Sequence, residues 1–158
     1  MKKVLFISST GGHLRELMLL KDLFKNYNYH IVTEKDITTN YLKEVYKNKV
    51  DYLPYGTRSK PFSYVFKFLF LVLKSVYLFF KIEPEIIITT GTHTAVPMCY
   101  LGKIFYRKII YIETFANISK KTLSGKLVYP IADLFIVHWK EMIKMYPKAI
   151  CVEKTLDI

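Results

Sequence analysis

The sequence predicts an α/β domain: a Rossmann-like, doubly wound parallel sheet. Three observations lead there. Short runs rich in β-branched residues alternate with helix-length segments along the chain, which is the pattern of βαβ units and their parallel strands. The strand runs are apolar at consecutive positions, as strands covered on both faces require. Finally, 158 residues, 51% of them hydrophobic, suffice for one domain with a real core. Residues 1–158 are therefore expected to form a single domain.

The elements follow in order. Residues 3–8 (KVLFIS) read as a first strand bounded by polar turn formers. Leu14, Leu17, Met18 and Phe24 recur at helical spacing, predicting a helix over about 12–25. A second strand falls at 29–33, a short polar helix at about 37–47, a brief third strand at 50–53 and a loop at 54–60. A long apolar helix spans 61–82, and Pro84 introduces a fourth strand at 85–89. Then come a helix at about 94–105, a strand at 108–113, a helix near 124–129, a strand at 134–137, a helix at 139–145 and a small strand at 149–152.

Composition narrows the class. The net charge of +11 calls for an anionic partner: nucleic acid, a phosphorylated substrate or an anionic membrane. The lysines are dispersed, so charge alone does not choose among these. Gly and Pro are sparse and no repeat is visible. Cys99 and Cys151 have no metal-binding or CxxC spacing and read as two reduced thiols of a cytosolic protein. Lys2 and Lys3 precede only four apolar residues before SSTGGH, so the N-terminus reads as a strand and not a signal peptide.

The segment 61–82, PFSYVFKFLFLVLKSVYLFFKI, is the most unusual stretch. Lys67, Lys74 and Lys81 interrupt it every seven residues, with Lys60 just before. Seven residues return to nearly the same helix face, with about 20° of drift, so the lysines form one basic stripe. Three readings compete. A transmembrane span is disfavoured, because its longest uncharged runs are short and each charge at the bilayer centre costs several kcal/mol. A core helix with one solvated edge is the plain structural reading. An interfacial helix, with lysines at anionic headgroups and Phe68, Phe70 and Leu73 in the lipid, accounts best for the number of aromatics. The lysines sit among aliphatic and aromatic residues and not in a recognition pattern, so no nucleic-acid partner is expected.

Three polar clusters fall at carboxyl ends of strands, where such sheets bind ligands: 9–13, 89–94 and 113–117. Ser9-Thr10-Gly11-Gly12-His13 follows a strand and opens a helix, a place suited to an anion. It lacks both G-x-G-x-x-G and the phosphate-loop lysine. Glu34 lies where a ribose-binding acid would, but without that glycine pattern a dinucleotide site is not supported. His13 stands in the first helical turn, where a neutral imidazole can take a proton from a hydroxyl. Its alternative is a structural hydrogen bond to a neighbouring loop. Thr89-Thr90-Gly91-Thr92-His93-Thr94 offers hydroxyls suited to a diphosphate or a sugar, or equally a hydroxyl-capped turn. Glu113 ends a strand and is a candidate base or sugar ligand.

With these residues in view a resemblance emerges. The opening SSTGGH, with Glu16-Leu17 after it, resembles a glycosyltransferase family of the GT-B fold. The stretch YIETFANISKKTLSGKLVYPIADLFIVHW, residues 111–139, is similar to the membrane-anchor subunit of the split UDP-GlcNAc transferase of the dolichol pathway and to short bacterial capsule and exopolysaccharide biosynthesis proteins. A more distant likeness is to the N-terminal half of the peptidoglycan transferase that adds GlcNAc to a lipid-linked sugar. Its Gly-Gly-His turn and its glutamate after strand five match Gly11-Gly12-His13 and Glu113.

The resemblance implies the N-terminal half of a GT-B fold, acting as one subunit of an inverting glycosyltransferase that is inactive alone. The partner would be a C-terminal-half subunit carrying the UDP-sugar, so no cofactor is expected on this chain. The acceptor would be a polyprenyl-diphosphate-linked sugar, with its diphosphate held by Gly11, Gly12, Thr90, Gly91 and Thr92. His13 or Glu113 would be the base, with no metal required. The alternative is a non-catalytic enhancer that recruits and stabilises the catalytic partner. The expected location is peripheral, on the cytoplasmic face of the plasma membrane. The dolichol-pathway subunit carries a transmembrane helix before its first strand. Here attachment is expected to rest on Lys67, Phe68, Phe70, Leu73, Lys74 and Lys81 of the 61–82 helix.

Overall fold

The computed structural model describes residues 1–55 and 61–152, with side chains from Phe66 onward in the second segment. Most of the loop expected at 54–60 therefore lies outside the described residues. Seven parallel strands form one sheet: β1 (Lys3–Ser8), β2 (Asn28–Glu34), β3 (Val50–Leu53), β4 (Ile86–Gly91), β5 (Lys108–Ile112), β6 (Leu134–Val137) and β7 (Ile150–Cys151). Their order is β3-β2-β1-β4-β5-β6-β7, so the direction of winding reverses between β1 and β4. In such sheets the crevice beyond the carboxyl ends at that reversal is where ligands bind.

Alternate residues of each strand serve two cores. Leu5 and Ile7 of β1, with Ile87, Ile109, Tyr111, Phe135 and Val137, pack under α3 (Pro61–Ile82), α4 (Val96–Ile104) and α5 (Leu123–Val128). Val4 and Phe6, with Ile31, Val50 and Ile88, pack under α1 (Gly12–Met18) and α2 (Tyr41–Tyr46). The strands' apolarity predicts two covered faces, and here the structure departs from it. The second face is covered over β1–β3, but Ile110, Ile112, Leu134 and Ile136 are only half-buried and Ile150 is exposed.

Two expected helices are different objects. The helix predicted over 12–25 is α1 followed by a separate 3₁₀ segment, Lys21–Asn26. Leu19 and Leu20 N–H donate to the carbonyls of Glu16 and Leu17, an i to i−3 pattern that turns the chain. The redirected segment seats Phe24 on Phe6 and Tyr29, with ring centroids 4.6 and 4.5 Å apart. The helix predicted at 139–145 is a 3₁₀ segment, Lys140–Lys144. Its tight turns put Met142 and Tyr146 in the core just before Pro147. The strand predicted to end at Thr89 continues to Gly91, where Ser9 N–H donates to the Gly91 carbonyl at 3.0 Å. Thr90 and Gly91 thus belong to β4 and not to a loop.

Helix α3 covers the predicted span and has two apolar faces. Leu71, Ser75, Leu78 and Phe79 are buried, and the Ser75 hydroxyl donates to the Leu71 carbonyl at 2.8 Å. On the opposite side Phe66, Leu69, Phe70, Leu73, Tyr77 and Phe80 are 55–74% exposed. At 3.6 residues per turn the lysines run along one border between these faces, and Phe68, Val72 and Val76 along the other. Two of the expected membrane contacts change accordingly. Lys81 pairs with Asp51, with Nζ 2.7 Å from the carboxylate, because α3 packs over β3. Phe68, 37% exposed, borders a cavity instead of the outer row. Lys67, Phe70, Leu73 and Lys74 remain at the surface or half-exposed. Among the described residues no helix is long and apolar enough to cross a membrane.

Candidate functional site

The reversal brings together the three predicted clusters. Gly11 (φ 72°) makes the turn from β1 into α1 in a conformation that costs a glycine little. A side chain at Gly11 or Gly12 would meet no atom within 4 Å, so the turn opens onto free space. His13 follows in the first turn of α1. Its Nδ1 lies 2.7 Å from the Thr90 carbonyl, and the Thr90 hydroxyl donates to the His13 carbonyl, also at 2.7 Å. A carbonyl only accepts, so Nδ1 carries a proton, and in the neutral imidazole the free lone pair is that of Nε2. That nitrogen has no hydrogen bond among the described residues.

Gly91 ends β4 at φ 93°, in the left-handed region. A Cβ there would stand 3.0 Å from the Tyr111 hydroxyl, 3.4 Å from Ser124 Oγ and 3.7 Å from His13 Cε1. The glycine is therefore what lets α1, β5 and α5 approach one another at the rim. Thr90 is buried, and both its hydroxyl and its carbonyl are turned to His13, so its polar groups position the imidazole. Thr92 is half-buried, with its hydroxyl 3.2 Å from His93 Nδ1.

Glu113 sits just beyond β5 and is 1% exposed. Thr122 Oγ1 lies 3.1 and 3.0 Å from its two oxygens, Thr114 N–H donates to Oε1 at 3.2 Å and the Tyr146 hydroxyl to Oε2 at 3.2 Å. Burial pushes its carboxyl above the ordinary range against the pull of these donors. Thr122 is also the N-cap of α5, accepting from Gly125 N–H at 3.0 Å. A Cβ on Gly125 would stand 2.5 Å from Glu113 Oε2, so only glycine lets α5 close over the carboxylate. Glu113 therefore braces α5 against the sheet, whereas His13 presents a nitrogen outward.

Sequence reasoning missed several of these partners. Thr122, Tyr146, Tyr111 and Ser124 form the network around Glu113, and Tyr111 and Ser124 are bonded at 3.0 Å. Only Thr122 carried a local signal, as a hydroxyl preceding a helix. Glu34 has a use unlike a ribose ligand's. It is buried, accepts from the Thr94 hydroxyl at 2.6 Å and lies 3.4 Å from Thr10 N and Oγ1, which ties the first cluster to the end of the second, after β4. Glu16 accepts from Thr114 and Phe115 through Oε1, while its buried Oε2 has no partner among the described residues. That oxygen lies beside the half-covered strands, where Ile112, Ile136, Leu19 and Phe115 line a cavity of about 420 Å³.

Comparison with known proteins adds to this geometry. Residues 4–154 match the family described as "Oligosaccharide biosynthesis protein Alg14 like". The human UDP-N-acetylglucosamine transferase subunit ALG14 is 26% identical over 93% of this chain and 80% of its own length. The Candida albicans protein of the same name is 30% identical over 88% of this chain and 71% of its own. Among solved structures, Acinetobacter baumannii MurG superposes with a TM-score of 0.71 at 13% identity, over 89% of this chain and 43% of that one. The S. aureus MnaA–UDP co-structure gives 0.73 at 13% identity, over 96% and 44%. The chain thus spans less than half the length of these two structures, and the likeness shows the fold: half of a GT-B-like architecture.

Proposed function

The chain belongs to the Alg14-like family of oligosaccharide biosynthesis proteins, and from that premise we propose that it is the acceptor-binding subunit of a two-component, UDP-sugar-dependent glycosyltransferase. The observation that carries this reading is the presentation of His13 Nε2 at the reversal of the sheet, with its tautomer held by Thr90. Relatives are named as subunits of a UDP-N-acetylglucosamine transferase, which supports a second, sugar-nucleotide-binding chain. The half-covered face of β5–β7 supports it too, since a parallel sheet ordinarily buries both faces.

In the proposed reaction the acceptor is a polyprenyl-diphosphate-linked sugar. Its diphosphate lies against the open turn at Gly11 and Gly12, near Gly91 and Thr92. The acceptor hydroxyl attacks the anomeric carbon of the sugar on the partner's UDP-sugar. The new C–O bond forms as the bond to the UDP phosphate breaks, the configuration inverts, and the hydroxyl proton passes to His13 Nε2. Glu113 acts from beneath, holding α5 and its loop in place.

The membrane-facing surface is the outer row of α3. It continues over exposed Tyr100, Ile104 and Phe105 of the α4 region to Leu123 and Leu127 of α5. Phe80 and Phe105 touch at 5.3 Å between ring centroids, and the Tyr100 hydroxyl donates to the Leu127 carbonyl at 3.1 Å. Lys67 and Lys74 border this surface, placing positive charge where anionic headgroups would be. In this reading the protein works at the cytoplasmic face of the membrane, and capsule or exopolysaccharide assembly is its setting.

The test is reconstitution. This chain is co-expressed with a UDP-sugar-binding chain, and label is followed from UDP-GlcNAc, UDP-galactose or UDP-glucuronate to a polyprenyl-diphosphate-linked sugar. Transfer is expected only with both chains present. Wild-type rates from a variant carrying both His13→Ala and Glu113→Ala would overturn the catalytic assignment and leave an anchoring role.

A further inference from the structure

A second cavity, of about 410 Å³, opens between α3, α4 and α5. It is lined by Phe68, Val96, Leu123 and Leu127, by His93 and Thr122, and, next to the rim, by Thr92 and Ser124. Those two residues adjoin Gly91 and Tyr111 at the rim, and Ser124 Oγ lies 3.4 Å from where a Cβ on Gly91 would stand. At the outer end Leu123 and Leu127 are exposed and continuous with the apolar surface of α3 and α4. One end of the cavity thus meets the proposed diphosphate position and the other meets the proposed membrane face. Cavities of this size, mostly apolar with a few polar groups at one end, are the usual form of a small-ligand site.

We propose that this cavity holds the first isoprene units of the lipid diphosphate, drawing the acceptor's tail out of the membrane and along Phe68 to the catalytic rim. The inference rests on the acceptor reading given above and adds to it a site for the tail. Branched C5 units suit the apolar part of the lining, one phenyl ring and three branched aliphatic side chains. The bulk of the polyprenyl chain stays in the bilayer. The departure of Phe68 from the outer row of α3 also follows from this arrangement, since it faces the ligand and not the membrane.

The probe is farnesyl diphosphate, compared with inorganic pyrophosphate, on the isolated chain without membranes or partner. Binding is read by thermal shift and titration. The farnesyl compound should bind at least about tenfold more tightly, since each buried methylene contributes about fourfold and burying even two exceeds tenfold. Val96→Trp fills the cavity and should remove that difference. Leu123→Trp blocks its exposed mouth without touching the core, and should do the same if Val96→Trp fails to fold. A photoreactive farnesyl diphosphate should label Phe68, Leu123 or Leu127. Equal binding of both probes, a tail-dependent gain that survives Leu123→Trp, or labelling confined to the outer row of α3 would overturn the proposal. Failure of two-chain sugar transfer, with the tail-dependent gain intact, would instead count against the proposed enzymatic function.

Discussion

His13 and Thr90 hold each other through two reciprocal hydrogen bonds of 2.7 Å, imidazole to carbonyl and hydroxyl to carbonyl, across 77 residues of sequence. The pair joins the first turn of α1 to the end of β4, the two elements that flank the reversal. It also fixes which imidazole nitrogen can accept a proton.

Replacing His13 by Ala is expected to lower reconstituted sugar transfer about 10²- to 10⁴-fold, the usual contribution of a general base. Thr90→Val keeps the carbonyl that orients Nδ1 but removes the hydroxyl bond to α1. It should cost less than the loss of the imidazole. Measured turnover of the two variants, with binding of the acceptor followed separately, checks the order. A Thr90→Val defect as large as that of His13→Ala would contradict it.

Glu113 gives a pH signature. Burial, its largest influence, raises its carboxyl above the ordinary value of 4.5. A carboxyl that holds its proton more tightly in the fold than in the unfolded chain favours the fold most below its unfolded value. That contribution is lost as pH rises through the folded value. Glu113→Gln cannot titrate. Its melting temperature relative to wild type is therefore expected to rise as pH is taken from about 4 to 7. A difference that is flat with pH would argue against a raised carboxyl.

The two faces of α3 should respond differently to the same chemistry. Changing Leu69, Leu73 and Tyr77 to Ser is expected to release the protein from anionic liposomes while leaving its melting temperature nearly unchanged, because these side chains are exposed. Leu78→Ala, on the buried face, should cost about 2–5 kcal/mol of stability. Sedimentation with liposomes and thermal melting distinguish the two. Unfolding of the triple variant would identify the outer row as core.

In the proposed assembly the half-covered strands face the partner chain. Ile136→Asp places a charge among Ile112, Phe115 and Leu19. It is expected to weaken co-purification with the UDP-sugar-binding chain at least about tenfold, since a charge buried without a partner is costly. Undiminished assembly would exclude this face as the contact.

Much of this was legible in the sequence because burial imposes local periodicity. The parallel α/β class, the strands at β1 through β6, the Pro61–Ile82 helix and the three polar clusters at strand ends all follow from runs of a few residues. So did the resemblance, which the family match now supports. Less local features escape that periodicity. The 12–25 and 139–145 segments have helical spacing, but the need to seat Phe24 and Tyr146 in the core converts part of one and all of the other into 3₁₀ turns. It is tertiary packing that pairs Lys81 of the basic stripe with Asp51, lines a cavity with Phe68, seals Glu113 beneath Thr122 and Tyr146, and lets Thr90 set the tautomer of His13. The physical reason is the same for each. Periodicity reports whether a position faces the core or water, whereas which residues of different elements meet, by hydrogen bond or by packing, depends on where parallel crossovers return the chain.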